Sequence, residues 1–504
     1  MIIVYHQNNK IVEIKTEDSN TFVFEKKSIA ENLIDIAENF PQDLIIWCNI
    51  TLKSNVNITN FNRIFHHTKI MASYNLSGDY FISKRIGYVD SSPFINSNKK
   101  VNYPTWQMSS DIGGIHSSVL LALKDQIQLD KNFDYFINSI GKLAMPLGLL
   151  CYSEPHLIVE SSKLQTNFRK NNFILFQFVR QHYKVQWIFL LFLNLVIYEG
   201  KVLLFPFLSS FLYRRRNLKQ EILDEIEVQS SNTAIEKGTI DVVIPTMGRK
   251  KHLYDVLRDL SAQTHLPAKV IIVEQNTDTN SVSELDYLNN EKWPFHIKHI
   301  FTHQAGACNA RNIALAEVES EWVFLSDDDV RLKADLNEKV LEKVAQYGIN
   351  CITTSCLQKD EVLRYTKIHQ SGIFGSGNSF LKSEFLKEVS FNKSLEFGYG
   401  EDTDFGLQLR NIGVDIIYFP ELRILHLKAP IGGFRNKFIF PWELEGVSPK
   451  PSPTIMYVHS KYFSNLQLLG YKTVLFFKLN KFNVFAFSKF NKQWEISRNW
   501  SKKI

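Results

Sequence analysis

Three consecutive aspartates follow a short apolar run in the second half of the chain. The run Trp322-Val323-Phe324-Leu325 is typical of a buried strand, and Ser326-Asp327-Asp328-Asp329 follows it directly. Carboxylates at the C-terminal end of a strand lie where α/β folds bind substrates, and they are hard ligands for a divalent cation that bridges to a diphosphate. A solvated acidic turn is the alternative, because Asp also favours turns. The surrounding segments favour the metal and phosphate site.

The aspartates belong to an alternation of strand-like and helix-like segments. The polar stretch 229–233 precedes the strand-like run Ile240–Ile244 and marks a domain boundary between Ser230 and Gly238. Further apolar runs at 270–273, 322–325 and 416–419 alternate with helical patterns such as 310–318. This pattern predicts an α/β domain with the aspartates at one edge of its sheet.

Four segments of this domain carry the other polar residues that could act with the aspartates. They are Val243–Arg249 with Ile271–Asn276, His303–Asn312, the aspartate triplet itself, and Phe397–Phe405 with the downstream Arg423–His426. Together they resemble the family 2 glycosyltransferases, inverting enzymes with the GT-A fold that use nucleotide-activated sugars. The resemblance covers about residues 239–435 and implies a Rossmann-like α/β domain that binds a nucleotide-diphosphate sugar donor.

The resemblance implies a set of donor-binding residues at strand ends and at one helix start. Arg249 can contact phosphate, and Glu274 can accept hydrogen bonds from a base edge or ribose. Arg311 lies in a helix whose N-terminus suits a diphosphate. Glu274 could instead be a solvated strand end, and Arg311 a surface ion-pair partner. The whole expected donor set is Pro245, Thr246, Arg249, Glu274, Asn276, Gly306, Arg311, Asp327 and Gly377.

The resemblance also implies a metal site and a catalytic base. The expected ligands of Mn²⁺ or Mg²⁺ are Asp327, Asp329 and His426, although a lone His can also be structural. An inverting displacement needs a base that takes the proton of the acceptor hydroxyl, and Asp402 is the expected base, with Glu401 beside it. Glu401 and its neighbours could instead be helix N-terminal charges. The segment 429–434 resembles a mobile lid over the donor.

The first half contains a weak repeat of the second. Residues 131–155 parallel 392–420, and Leu44–Asn49 correspond to the strand and first aspartates of the second half. The carboxylates are missing, because the aspartate position is Cys48-Asn49-Ile50 and the Glu-Asp position falls near Phe136-Ile137. We expect residues 1–165 to form a degenerate, non-catalytic GT-A-like α/β domain. Chance similarity of short αβ units is the alternative.

Residues 166–237 are expected to form an apolar and basic helical connector. Its apolar runs 187–198 and 202–213 are separated by Glu199-Gly200-Lys201, and each is shorter than the roughly 20 residues that a membrane-spanning helix needs. We therefore expect helices that lie in the membrane interface, with a buried connector or a true span as alternatives. Arg214-Arg215-Arg216 and the basic aromatic extension 441–504 would contact anionic headgroups.

Composition limits the remaining possibilities. With 504 residues, 44% of them hydrophobic, the chain is globular and needs at least two domains. The net charge of +6 is mild and no nucleic-acid motif accompanies it, so we expect no nucleic-acid partner. Five cysteines without a Cys-x-x-Cys pair give no support for a zinc site or a disulfide framework. The first residues lack the features of a signal peptide, so we expect a cytoplasmic protein, peripheral on the inner face of the cell membrane.

These observations predict a metal-dependent, inverting glycosyltransferase with its catalytic domain at 238–440. It would add single sugars to a glycan or lipid-linked acceptor in surface polysaccharide synthesis, since the Gln-x-x-Arg-Trp motif of processive relatives is absent. A nucleotide-sugar-binding scaffold protein is one alternative. A sugar nucleotidyltransferase is another, but its Gly-rich first loop is absent after Ile244.

Overall fold

Two mixed β-sheets organise the chain. The computed structural model describes residues 1–16, 28–159, 171–429, 438–481 and 483–504. The first unit contains Met1–Asn232 and Tyr462–Asn483, and the second contains Thr233–Lys461 and Val484–Ile504. The division between Asn232 and Thr233 lies within the range Ser230 to Gly238, where the sequence indicates a domain boundary. Most of the described part of the expected connector, residues 171–232, belongs to the first unit, whereas residues 233–237 belong to the second. The C-terminal extension is divided between both units.

The first unit is built on a seven-stranded sheet with the order β2-β1-β3-β6-β4-β7-β5. Its strands are β1 (Ile2–Gln7), β2 (Lys10–Thr16), β3 (Leu44–Asn49), β4 (Ile70–Tyr74), β5 (Tyr103–Pro104), β6 (Ile112–His116) and β7 (Leu150–Ser153). Its helices before the linker are α1 (Ile29–Asn39), α2 (Phe61–Ile64), α3 (Ser117–Leu123), α4 (Phe133–Ala144), α5 (Asn172–His182), α6 (Gln186–Glu199) and α7 (Leu204–Ser210). Alternate strand residues supply two buried clusters: Val4 and Trp47 pack with the helices, whereas Ile3 and Ile46 belong to the other cluster.

The second unit is built on a nine-stranded sheet with the order β10-β9-β8-β11-β15-β13-β16-β12, and β14 pairs with β16. Its strands are β8 (Ile240–Thr246), β9 (Lys269–Gln275), β10 (His296–Thr302), β11 (Trp322–Ser326), β12 (Val330–Arg331), β13 (Cys351–Leu357), β14 (His369–Gln370), β15 (Asn378–Lys382) and β16 (Ile417–His426). The helices from here to the C-terminus are α8 (Lys250–Ser261), α9 (Tyr287–Asn290), α10 (Ala307–Leu315), α11 (Leu336–Tyr347), α12 (Glu401–Asn411), α13 (Pro453–Tyr462), α14 (Asn465–Asn480) and α15 (Phe487–Ser501). Helix α14 belongs to the first unit, and α15 to the second.

The predicted α/β fold is present in both halves, and the central strands of the two sheets share one arrangement. In the first sheet β1 is parallel to β3, β6 is antiparallel to β3 and β4, and β7 is parallel to β4. In the second sheet β8 is parallel to β11, β15 is antiparallel to β11 and β13, and β16 is parallel to β13. The corresponding strands also follow one another in the same chain order. The weak sequence repeat therefore coincides with a shared sheet topology.

The sheets differ at one edge. Beyond β8 the second sheet continues with two parallel strands, β9 and β10. Beyond β1, the described part of the first sheet has only the antiparallel hairpin strand β2. Parallel neighbours need long crossover connections, and a hairpin does not. The extra βαβ portion that the second unit has at this edge is consequently absent from the described residues of the first unit.

The apolar runs of residues 187–213 form two separate helices. Helix α6 ends at Gly200, whose φ of 63° lies in the left-handed region that terminates helices, and α7 begins at Leu204. Within the described residues, no helix has both the length and the apolar character needed to cross a membrane.

Candidate active site

The carboxyl ends of the central strands in the second sheet bring the aspartates and His426 together. Strand β12 follows the aspartates directly and pairs with β16, where Val330 lies opposite His426. The backbone N–H of Leu427 also donates to the carbonyl oxygen of Asp329 at 2.8 Å. This local pairing places an imidazole beside a carboxylate that lies almost 100 residues earlier in the chain.

Asp327, Asp329 and His426 form a group that could hold a metal ion. One ligand atom from each of the three lies within 4.8 Å of the others. His426 Nε2 is 3.4 Å from Asp329 Oδ1. Burial opposes the ionisation of Asp329, but hydrogen bonds from His426 and from the Ala429 amide lower its pKa to about 2. The three expected metal ligands therefore lie close together, and Asp329 is ionised over the physiological pH range.

Asp328 has different partners from the two aspartates that flank it. Thr246 Oγ1 donates to Asp328 Oδ2 at 2.7 Å, and Arg249 Nη1 donates to Asp328 Oδ1 at 2.6 Å. Burial raises the pKa of Asp328 to about 6, although the charge of Arg249 acts in the opposite direction. The same Arg249 nitrogen is 3.2 Å from Asp329 Oδ2. Asp328 therefore joins the ends of β8 and β11, and the expected phosphate-binding Arg249 is already paired with carboxylates.

The expected base, Asp402, lies at the start of α12. Its Oδ1 atom is buried and has no hydrogen-bond partner among the described residues, whereas Ser376 hydrogen-bonds to this carboxylate through its backbone and its side chain. Burial raises the pKa of Asp402, and Arg311 opposes that rise. Burial and the charge of Asp402 raise the pKa of Glu401 to about 7. Asp402 thus keeps one oxygen without a partner, which a base needs.

Arg311 connects the two groups of carboxylates. Its Nη2 donates to Asp327 Oδ1 at 2.9 Å, and its charge also limits the rise that burial causes in the pKa of Asp402. Only 7% of Arg311 is exposed, so the alternative of a surface ion pair does not apply. The side chain lies in helix α10, as expected.

The N-terminus of α10 already has an anionic partner. The carboxylate of Glu396 accepts hydrogen bonds from the backbone N–H groups of Cys308 at 3.0 Å and Asn309 at 2.9 Å. Gly306 has a φ of 145°, and a Cβ there would lie 2.5 Å from Glu396 Cδ. In this structure Glu396, which the sequence analysis did not select, occupies the position where a diphosphate was expected.

Most of the expected residues line one cavity of about 360 Å³. Those that line it are Pro245, Thr246, Arg249, Gly306, Arg311, Asp327, Asp329, Glu401, Asp402 and His426. Gln275, Ser376, Glu396 and Lys428 also line it, although none of them was among the expected site residues. Lys428 is exposed and has a φ of 54°, which is unusual for a non-glycine residue.

Three expected donor residues do not line this cavity. Glu274 is buried, bonded to Ser283 Oγ at 2.5 Å and to His299 Nε2 at 2.9 Å, so it is not a solvated strand end. Asn276 accepts a hydrogen bond from the Asp278 amide. At Gly377 a Cβ would lie 2.1 Å from Asp327 Oδ2, which means that the glycine allows Asp327 to approach the backbone. Of the expected lid, only Ala429 lies within the described residues.

A larger depression of about 780 Å³ lies at the other end of the same strands, where β8, β9 and β10 begin. Its charged side chains pair with one another: Lys269 Nζ is 2.5 Å from Glu319, and Lys298 Nζ is 3.4 Å from Glu317. It contains none of the carboxylates that follow β11. Size alone would favour this depression as a ligand site, but the clustered carboxylates and His426 identify the smaller cavity as the candidate site.

A comparison with known families agrees with this site. The family model described as Glycosyl transferase family 2 matches residues 241–398, which include all of β8 but its first residue, the aspartates and the segment leading to α12. Residues 241–398 are a family 2 glycosyltransferase domain. The glycosyltransferase domain has the GT-A fold, as predicted, and it contains every expected site residue except Glu401, Asp402 and His426, which follow the matched range.

One curated relative and several solved structures are similar to parts of the chain. An uncharacterized glycosyltransferase of Haemophilus influenzae is 28% identical over 107 residues, which are 21% of this chain. The match spans only 35% of that relative's length. Staphylococcus aureus TarS residues 1–349, in complex with UDP-GlcNAc, superposes with a TM-score of 0.38 and 14% identity, over 51% of this chain and 79% of that one.

GalNAc-T7 with UDP, GalNAc and Mn²⁺ superposes with a TM-score of 0.37 and 12% identity, over 55% of this chain and 60% of that one. At these scores neither structure defines the substrate of the glycosyltransferase domain.

Proposed function

We propose that the glycosyltransferase domain moves a single sugar, with inversion, from a nucleotide-diphosphate donor to an acceptor hydroxyl, with help from a divalent metal ion. The observation that carries this proposal is that Asp327, Asp329 and His426 share one cavity with Asp402. The cavity lies where α/β sheets bind ligands, beyond the carboxyl ends of the strands.

The three clustered side chains fit a divalent cation. Two carboxylates and one imidazole supply oxygen and nitrogen donors, a set that suits Mn²⁺ and is compatible with Mg²⁺. Asp329 retains its charge, so its ligand atom is ready for a cation. When bound there, the metal would neutralise the charge that develops on the departing diphosphate.

Asp402 would accept the proton of the acceptor hydroxyl. Its unbonded Oδ1 can receive a hydrogen bond, and Ser376 holds the carboxylate in a fixed orientation. Arg311 lines the same cavity, and its charge keeps Asp402 more acidic than burial alone would make it. A carboxylate opposite the leaving group is what an inverting displacement requires.

The remaining cavity residues would hold the donor. Pro245 and Thr246 end β8, and Gln275 ends β9, so backbone and side-chain groups of both strands face the donor. Lys428 is an exposed cation on the cavity wall that could contact a phosphate. Arg249 forms ion pairs with Asp328 and Asp329. Its main proposed role is therefore to hold these carboxylates, and phosphate binding is a secondary one. Glu274 and Asn276 would act at the nucleoside end, outside the cavity itself.

The acceptor we propose is a glycan or a lipid-linked sugar of surface polysaccharide synthesis. The protein would then act peripherally at the inner face of the cell membrane, without a nucleic-acid partner. The first unit would be non-catalytic, because it has no counterpart of Asp327 or Asp329: the corresponding residues Cys48-Asn49-Ile50, at the end of β3, include no carboxylate.

A thermal-shift screen tests the proposal. We expect nucleoside diphosphates to raise the unfolding temperature of the full chain only when Mn²⁺ or Mg²⁺ is present, because a ligand that binds the native state stabilises it. Metal-dependent release of nucleoside diphosphate from a sugar donor would then distinguish an enzyme from a binding protein. Stabilisation without turnover, across a panel of donors and acceptors, would favour the scaffold alternative, and no stabilisation by any nucleotide would contradict both.

A further inference from the structure

An apolar surface is exposed on the first unit, formed by α6, α7 and the residues that follow α7. We call it the α6–α7 surface, and its side chains are 41% exposed at Phe211 and up to 85% exposed at Leu212. Soluble monomers rarely expose apolar patches of this kind unless the patch binds something. The members are Phe189, Ile197, Val202, Leu204, Phe205, Leu208, Phe211 and Leu212.

Helix α6 is apolar on both of its faces. Ile188, Leu191 and Leu195 recur at helical spacing and are fully buried in the first unit. On the other face, Phe189 is 53% exposed and Ile197 is 49% exposed. A helix on the surface of a soluble protein normally has polar residues at such positions. Its outer face therefore suits an apolar environment rather than water.

The outer faces of α6 and α7 form one continuous surface. The ring of Phe189 lies 5.4 Å from the ring of Phe207 and 5.9 Å from that of Phe211. Phe207 and Phe211 are in turn 5.3 Å apart. These ring contacts fix α7 against α6 and keep the exposed side chains of both helices together.

The charges beside this surface are positive. Lys184, Arg214 and Arg215 are exposed and form no ion pair within the described part of the chain. Glu199 is the only acidic residue between positions 184 and 216, and it pairs with Arg85 and Lys201. An apolar surface with a cationic border complements an anionic lipid bilayer, where acyl chains accept the apolar groups and headgroups accept the cations. A second copy of the chain would present the same positive charges and would not complement them.

We infer that the α6–α7 surface inserts into the interfacial layer of an anionic lipid membrane, and that Arg214 and Arg215 contact the lipid headgroups. The helices lie in the membrane surface without crossing it. This inference is independent of the catalytic proposal, because it rests on residues of the first unit only.

Vesicle co-sedimentation of the full chain tests the inference. We expect binding to vesicles of phosphatidylcholine that contain phosphatidylglycerol, weaker binding to pure phosphatidylcholine, and release by high salt. Arg214→Ala and Arg215→Ala should each lower the partition coefficient about fivefold, the equivalent of about 1 kcal/mol for each cation near an anionic surface. Arg364→Ala, which removes an exposed arginine of the second unit, is the matched control and should have no effect.

Phe205→Ser and Leu212→Ser test the apolar part. Both side chains are about four-fifths exposed, so their loss should reduce vesicle binding without changing the unfolding temperature. Val362→Ser removes an equally exposed apolar side chain elsewhere and should bind as the wild type does. Absence of vesicle binding, or equal binding by all variants, would overturn the inference. So would a dimer in solution that Leu212→Ser dissociates, since a second copy would then cover the surface.

Discussion

Asp134 and Asp402 occupy the same position in the two units of the chain. Each is the second residue of a helix, α4 or α12, that leads to corresponding strands, β7 or β16. Asp134 bonds to Ser110, and Asp402 bonds to Ser376, through both the backbone and the side chain of the serine. Each serine lies two residues before corresponding strands, β6 or β15. The repeat therefore extends to a buried carboxylate and its partner.

This equivalence corrects one expectation. The sequence comparison placed the Glu-Asp position of the first half near Phe136-Ile137, whereas the structure places it at Phe133-Asp134. The first unit therefore has a carboxylate at the position of the proposed base, but none at the positions of the aspartates that we propose as metal ligands. Burial raises the pKa of Asp134 to about 6.

Asp402→Asn should lower the rate of sugar transfer by roughly 10²-fold or more, because general base catalysis supplies an effect of that size. The affinity for donor should stay near the wild-type value, since Asp402 does not belong to the metal group. Steady-state kinetics combined with donor titration calorimetry would separate the two quantities. Asp134→Asn is the matched control and should leave turnover unchanged. Parallel losses of affinity and turnover in Asp402→Asn would instead indicate a binding or structural role.

Asp329→Ala and His426→Ala should each remove the metal dependence of nucleoside diphosphate binding, because each removes one of three clustered donors. Calorimetric titrations with and without Mn²⁺ would measure this. His426 is half-exposed, so its variant should fold even if Asp329→Ala proves unstable. Asp360→Ala, at an exposed position, serves as the control. If the metal still enhances nucleotide affinity in both variants, the ligands are elsewhere.

Asp328→Ala should destabilise the second unit by about 3 to 5 kcal/mol, the usual cost of removing one partner from a buried ion pair. The substitution removes the acceptor that lies 2.6 Å from Arg249 Nη1, which keeps its 3.2 Å contact with Asp329, and the acceptor that lies 2.7 Å from Thr246 Oγ1. Urea unfolding of the full chain would measure the loss. Asp335→Ala, which breaks an exposed pair with Lys339, should cost less than about 1 kcal/mol. Equal stability of the two variants would show that Asp328 does not hold β8 and β11 together.

His182 should make the first unit sensitive to acid. Burial lowers the pKa of His182 to about 3, while an unfolded chain retains the ordinary value of about 6.5. Between these two pKa values the imidazole is protonated in the unfolded state but neutral in the folded state. The free energy of unfolding therefore falls as the pH falls, by about 1.4 kcal/mol for each pH unit. Its ring is held by Ser139 Oγ at 2.8 Å and by the carbonyl oxygen of Phe178 at 2.9 Å.

Thermal unfolding at pH 7 and pH 5 would check this behaviour. The variant His182→Gln should show a smaller decrease in unfolding temperature between the two pH values than the wild type does, even if it is less stable at both. His296→Gln changes an exposed histidine, and its unfolding temperature should decrease between the two pH values as much as that of the wild type. An unchanged decrease in His182→Gln would mean that other groups control acid unfolding.

Much of the second unit could be predicted from local sequence. The expected strands at 240–244, 270–273 and 322–325 lie within β8, β9 and β11, because continuous apolar runs bounded by polar residues form buried strands. The aspartate cluster was also recognisable, since three adjacent carboxylates after a strand are a local feature. The break between α6 and α7 followed in the same way from Glu199-Gly200-Lys201.

The tertiary structure alone decided which partner each charged group has. Asp327, Asp328 and Asp329 are indistinguishable in the sequence, yet Asp328 bonds to Thr246 and Arg249 while its neighbours lie near Arg311 and His426. Glu396 bonds to the start of α10, about 87 residues earlier in the chain. These partners are set by strand register and helix packing across long sequence separations. Residue type and spacing therefore determined that carboxylates would gather at this edge of the sheet, and only the folded chain determined which of them remain available to a ligand.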